Sequence, residues 1–118
     1  MWKYKITTGE VLLDGVAIAT GYSGHGAGLN DPDYCAIHDV GPIPPGLYKL
    51  GAPYDSNKTG PFTISLLPVD HDAMRRDGFK IHGDNSKGDK SASHGCIIIP
   101  RHVREEIAKT SGTLEVIE

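Results

Sequence analysis

Nothing in this 118-residue chain is apolar for long enough to cross a bilayer, which takes about 20 residues in a helix. Positive charge is also scarce and scattered: 12 Lys and Arg against 15 Asp and Glu leave a net charge of -3, which excludes the basic footprint of a nucleic-acid binder. Met1-Trp2-Lys3-Tyr4 runs straight into a strand-like pattern, without a basic n-region and apolar h-region. That pattern predicts a soluble chain made in the cytoplasm without a secretory leader. The apolar share, 38%, is lean and supports one domain with one core over residues 1–118, and no internal repeat or low-complexity tract divides it. Only two cysteines exist, Cys35 and Cys96, so at most one disulfide is available, worth about 2–4 kcal/mol. The setting of Cys96 argues for a free thiol and leaves Cys35 as a small buried or half-buried hydrophobe.

What the chain does have is turn formers, 15 Gly and 8 Pro, between short apolar runs, a pattern of strands rather than a helical bundle. Lys3 to Thr7 alternates as a strand, and Asp14-Gly15 between Val11–Leu13 and Val16–Ile18 is a hairpin turn that needs positive φ at both positions. Gly21 to Pro32 is expected to be a long loop, too polar and flexible for a regular element. Within it, Tyr22-Ser23-Gly24-His25-Gly26 either borders an active site or is a glycine-rich turn, and composition favours the turn. Gly41 to Leu50 reads as a proline-fixed turn feeding a strand with Leu47 and Tyr48 on opposite faces. Phe62 to Leu67 is a strand, Pro68 to Gly78 a polar connection with a helical turn near Asp70 to Arg75, and Phe79 to His82 a strand ending on the histidine. Cys96 to Ile99 is the most β-prone run, stopped by Pro100. Val103, Ile107 and Ala108 then recur at helical spacing, with Arg104, Glu105, Glu106 and Lys109 on the solvent side, closing near Ser111-Gly112. Thr113 to Ile117 alternates as a last strand.

The chemistry concentrates between Ile81 and Pro100, where His82-Gly83-Asp84 is followed by Ser91-Ala92-Ser93-His94-Gly95-Cys96. A free thiol ionises near pH 8.5, so Cys96 as nucleophile needs a base, and His82, fourteen positions upstream, is the candidate; thiol titration would show whether Cys96 ionises well below that value. The plain structural reading makes Cys96 a core thiol at the head of a strand and His82 a histidine bonded in a turn. Its neighbours tilt the reading toward chemistry: Gly95 allows close backbone approach, and the N–H groups of His94, Gly95 and Cys96 are candidates to hold a developing oxyanion. His94 is a supporting candidate, and Asp84 to Lys90 suits a loop at the mouth of a site. Zinc is the rival, with His82, His94 and Cys96 as ligands and His25 or Cys35 as the fourth, although their spacing matches no standard zinc pattern. Papain-like order is excluded because every histidine but His102 precedes Cys96, and Lys58-Thr59-Gly60 is a chance echo of serine penicillin-recognising enzymes, since no Ser-x-x-Lys exists.

These residues carry a resemblance. Ser93-His94-Gly95-Cys96 after His82-Gly83 resembles the signature of YkuD-like L,D-transpeptidases, and Ile43-Pro44-Pro45-Gly46-Leu47-Tyr48 is similar to their Thr-Pro-x-Gly-x-Tyr segment. The small size, the 21–33 loop and the short His82-to-Cys96 interval look most like the branch that includes type VI secretion effectors. The resemblance implies a mainly β fold, a YkuD-like sandwich or barrel with one short C-terminal helix, and needs no cofactor. It implies that Cys96 attacks the amide before the terminal D-alanine of a peptidoglycan tetrapeptide stem, with His82 as base and His94 assisting. Gly95, Ser93, Gly83, Tyr22, Ser23 and Tyr48 become candidates for oxyanion or substrate binding. The implied setting is the periplasm, of a target cell if the protein is a secreted effector, with a cognate immunity protein as partner. One departure stands out: many members carry arginine two positions after the cysteine, where this chain has Ile98, leaving Arg101, Lys87 or Lys90 as candidates to replace it. The non-enzymatic alternatives are a wall-binding β module and a small zinc-binding domain.

Overall fold

The computed structural model describes residues 1–110 and 112–118, so Ser111, half of the proposed helix stop, lies outside the described residues. Ten strands and one helix follow in chain order: β1 (Trp2–Lys5), β2 (Glu10–Leu13), β3 (Val16–Thr20), β4 (Tyr22–Ser23), β5 (Gly46–Leu50), β6 (Tyr54–Ser56), β7 (Gly60–Pro68), β8 (Lys80–His82), β9 (Ile97–Ile98), α1 (Arg101–Lys109) and β10 (Thr113–Ile117). The fold is mainly β with one short C-terminal helix. One mixed path of strands runs β3-β2-β1-β10-β5-β7-β8-β9-β4, with β6 paired to β7 off the path. All neighbours are antiparallel except β1 with β10 and β8 with β9. No helix among the described residues is long and apolar enough to span a membrane.

Alternation decides which side chains enter the core. In β1, Trp2 and Tyr4 are buried, and across the parallel pair they meet Leu114 and Val116 of β10, also buried. The β2–β3 hairpin turns at Asp14 (φ 51°) and Gly15 (φ 85°), the left-handed pair its sequence requires. α1 lies against β7 and β8 and buries Val103 and Ile107, which places the helix directly behind the histidine that ends β8.

Two expectations need correcting. Residues 21–32 are not one irregular loop: Tyr22 and Ser23 form β4, antiparallel to Ile98 and Ile97 of β9, because a partner strand supplies the hydrogen bonds that local composition does not advertise. Arg104 does not face solvent. At 100° per residue it shares the inward stripe of Val103, Ile107 and Ala108, and only 4% of it is exposed. The segment after Pro68 turns at residues 73–75, all with positive φ, and delivers Arg76 into the interior beneath Gly95.

Candidate active site

The parallel pairing of β8 with β9 places the two halves of the site together. The register sets Ile81 opposite Ile97 and His82 opposite Ile98, so Cys96, one residue before β9, comes alongside the strand that ends at His82. Carried back one residue, the same register sets Cys96 opposite Lys80, two positions before His82 and on the same face of the sheet. His82 and Cys96 wall one open cavity of about 650 Å³, shared with His94, Gly83, Asp84 and the 57–60 turn. Both cysteines are free, Cys35 buried in the core and Cys96 partly open. The Cys96 thiol points at the Gly78 carbonyl across a long 3.9 Å, and no hydrogen bond among the described residues joins it to the His82 ring.

The tautomer of His82 follows from its partner. Nδ1 lies 2.8 Å from the Gly83 carbonyl oxygen, which can only accept, so the proton sits on Nδ1 and Nε2 keeps its lone pair. Burial lowers the pKa of His82, the Arg104 and Lys80 charges lower it further, and the Gly83 bond opposes them. Burial likewise pushes the Cys96 thiol up, against the pull of the Lys80 backbone and of the Lys80 and Arg76 charges. Both shifts favour the uncharged forms of the two groups. At the thiol, desolvation outweighs the nearby cations.

The Ser93–Cys96 turn is held from three sides. Ser93, fully buried, accepts from the N–H of Gly24 (2.9 Å) and of Gly95 (3.1 Å) and donates to the Cys96 carbonyl (2.6 Å). Ser23, also fully buried, donates to the Gly95 carbonyl (3.2 Å) and accepts from the Ile43 N–H (2.9 Å). Arg76 donates to the carbonyls of Cys35, Gly41, Pro42 and His94, and its guanidinium lies under Gly95, where a Cβ would stand 2.3 Å from Nη2. Gly95 itself has φ 127°, so both space and backbone demand glycine there.

These contacts reassign several candidate residues. Ser93 and Ser23 brace the turn and are sealed from substrate. The Gly95 N–H is spent on Ser93, which leaves the N–H groups of His94 and Cys96, without partners among the described residues, as the remaining candidates for holding an oxyanion. Tyr48 is a core residue, fully buried with its hydroxyl on the Pro44 carbonyl (2.8 Å), too deep to touch a substrate. Tyr22 donates to Asp84 (2.7 Å) and accepts from the Ala92 N–H (3.2 Å), clamping both ends of the loop between His82 and Cys96. Gly83 and His94 do line the cavity, and the exposed His94 ring stacks edge-on against His25.

Three groups escaped the sequence reading. Arg76 and Arg104 look like ordinary charges until burial is known, and Lys58-Thr59-Gly60, taken as a chance echo, forms the β6–β7 turn that walls the cavity. Arg101 is paired with Glu105 (3.4 Å), and Lys87 and Lys90 are exposed. Among the described residues no three His, Cys, Asp or Glu side chains converge as metal ligands; Cys35 lies in the core, donating toward the Ile43 carbonyl.

Comparison with known proteins gives the same frame. No curated protein matches the chain. A solved structure, that of an L,D-transpeptidase (Yku) from Stackebrandtia nassauensis, superposes with a TM-score of 0.55 at 16% identity, covering 99% of this chain and 54% of that one. The chain thus spans about half the length of that structure and shares its fold. A family model described as the Tlde1 domain matches residues 17–117, and the chain belongs to that family.

Proposed function

We propose that this protein is a cysteine L,D-transpeptidase or L,D-carboxypeptidase acting on peptidoglycan tetrapeptide stems. The observation that carries the reading is a free thiol and a neutral imidazole with an open Nε2 lone pair on the wall of one cavity, in a chain of the Tlde1 domain family on an L,D-transpeptidase fold. As substrate enters, Nε2 of His82 takes the Cys96 proton and the sulfur attacks the carbonyl carbon of the third stem residue. The N–H groups of His94 and Cys96 receive the oxyanion. Collapse breaks the amide bond, the proton passes from His82 to the departing D-alanine amine, and a thioester remains on Cys96. Water, another stem's amine or a free D-amino acid then attacks it, returning the proton to sulfur through His82.

Cys96 also walls a second, smaller cavity of about 130 Å³ on the side of Arg76 and Gly78, a size suited to water or a small acceptor. The same reading places the work in the periplasm, in a target cell if the protein is a secreted effector, with an immunity protein covering the cavity as its natural antagonist. Incubating the protein with tetrapeptide muropeptides and D-methionine tests it by mass spectrometry. Loss of D-alanine or its exchange is expected; binding without change would mark a non-catalytic wall-binding module and overturn the reading.

A further inference from the structure

Every carbonyl of the Ser93–Gly95 stretch is held by a side chain from outside the turn. His25 Nδ1 lies 2.9 Å from the Ser93 carbonyl oxygen, Arg76 donates to that of His94 (3.3 Å), and Ser23 donates to that of Gly95 (3.2 Å). Because a carbonyl oxygen can only accept, the His25 proton sits on Nδ1. A trans peptide is planar, with its N–H opposite its C=O, so a side chain that fixes one fixes the direction of the other. The Ser93 carbonyl shares its peptide with the His94 N–H, and the Gly95 carbonyl shares its peptide with the Cys96 N–H. These are the two N–H groups of the turn left without partners among the described residues, and both residues wall the active cavity. The Gly95 N–H, opposite the carbonyl held by Arg76, goes to Ser93 instead.

We propose that His25 is a positioning residue for the oxyanion site: by holding the Ser93 carbonyl it aims the His94 N–H into the active cavity. The proposal rests on the function proposed above and deepens it. Ser23 does the same for the Cys96 N–H, but it also accepts from the Ile43 N–H in a fully buried place, so its loss would disturb the fold as well. His25 is half-buried, and its side chain makes no other hydrogen bond among the described residues. Its backbone is tied independently, the N–H to the Val40 carbonyl (3.0 Å) and the carbonyl to the Gly28 N–H (3.0 Å), so the loop keeps its place when the ring is exchanged. His25 walls neither of the cavities that meet at Cys96 and reaches the substrate only through the turn. Its bond also polarises the peptide, which makes the His94 N–H a stronger donor.

The His25 ring stands edge-on to His94 with centroids 4.8 Å apart, and two exchanges separate that packing from the bond. His25→Phe keeps a ring and loses the donor; His25→Asn loses the ring and keeps an amide N–H at the place of Nδ1. Release of D-alanine from a tetrapeptide by His25→Phe is expected to lose about 10- to 100-fold in kcat at unchanged KM, part of what a missing oxyanion donor costs. His25→Asn should recover most of it. Alkylation of Cys96 by iodoacetamide passes through no oxyanion, and its rate should be equal in all three proteins. His25→Ala, which also lacks the donor, takes the place of His25→Phe should the larger ring not fit. A donorless variant with full kcat, or a loss that His25→Asn does not restore, would overturn the proposal. So would alkylation that slows in step with turnover, because the thiol itself would then have moved. If even the wild type turns over no peptide, the proposed function falls, and His25 is read separately from the backbone nitrogen NMR signal of His94, which responds to a bond on the carbonyl of its own peptide. A signal displaced in His25→Phe and returned in His25→Asn supports the positioning role; one that stays still, or does not return, overturns it.

Discussion

Cys96 and His82 do different work, and their substitutions should separate. Cys96→Ala removes one sulfur from a partly open position, so the fold should melt as the wild type does while D-alanine release from tetrapeptide vanishes. A Cys96→Ala protein with full turnover would rule out the nucleophile. His82→Ala leaves the thiol but no base, and a loss of about 10²–10⁴ in kcat is expected. The pH dependence has a definite sign. Burial holds His82 below the ordinary histidine value of about 6.5, so the base stays competent at neutral pH and kcat/KM falls only as pH drops below that value. Burial holds Cys96 above the ordinary thiol value, so its alkylation by iodoacetamide should climb through the alkaline range. Fast, pH-independent alkylation near pH 6 would reveal a resting thiolate–imidazolium pair and contradict this account. The motif Ser93-His94-Gly95-Cys96 made the candidate thiol and its turn legible in the sequence. Arg104 was illegible because a helix of mixed charges does not announce which cation its inward stripe will bury.

Among the elements, the Ser93–Cys96 turn is the one on which catalytic geometry depends, since it is neither helix nor strand and is held by side chains. Ser93→Ala would strand the Gly24 and Gly95 N–H groups in a buried site, and at about 1–3 kcal/mol per lost partner the cost should reach about 2–6 kcal/mol, read from urea unfolding. Activity should fall with it, because the turn that aims Cys96 loosens. Ser86→Ala, on the exposed part of the loop, should stay within about 0.5 kcal/mol of wild type. The same contrast explains what could be read from the chain. The hairpin at Asp14-Gly15 and the helix after Pro100 follow local rules, whereas β4 and β6 do not. Tyr22–Ser23 is a strand only because Ile97–Ile98 lies beside it, and Tyr54–Ser56 only because it pairs with β7. Such strands exist by virtue of their partners, and a local window cannot see them.

Across the whole molecule, the centre of the sheet is assembled from the two ends of the chain. β10 sits between β1 and β5, and its Leu114 and Val116 fill the middle of the core. A chain stopped after Thr110 should therefore show no cooperative thermal transition, the near-ultraviolet signal of Trp2 and the buried tyrosines being lost with it. A sharp melt from that fragment would mean the core is complete without its last strand. A protein built this way cannot mature in pieces. While ribosomes are still translating, β1 waits beside a vacant slot, and the loop carrying the thiol has no finished scaffold to stand on. The sheet therefore closes in a single late event, once residues 113–117 can slot between β1 and β5.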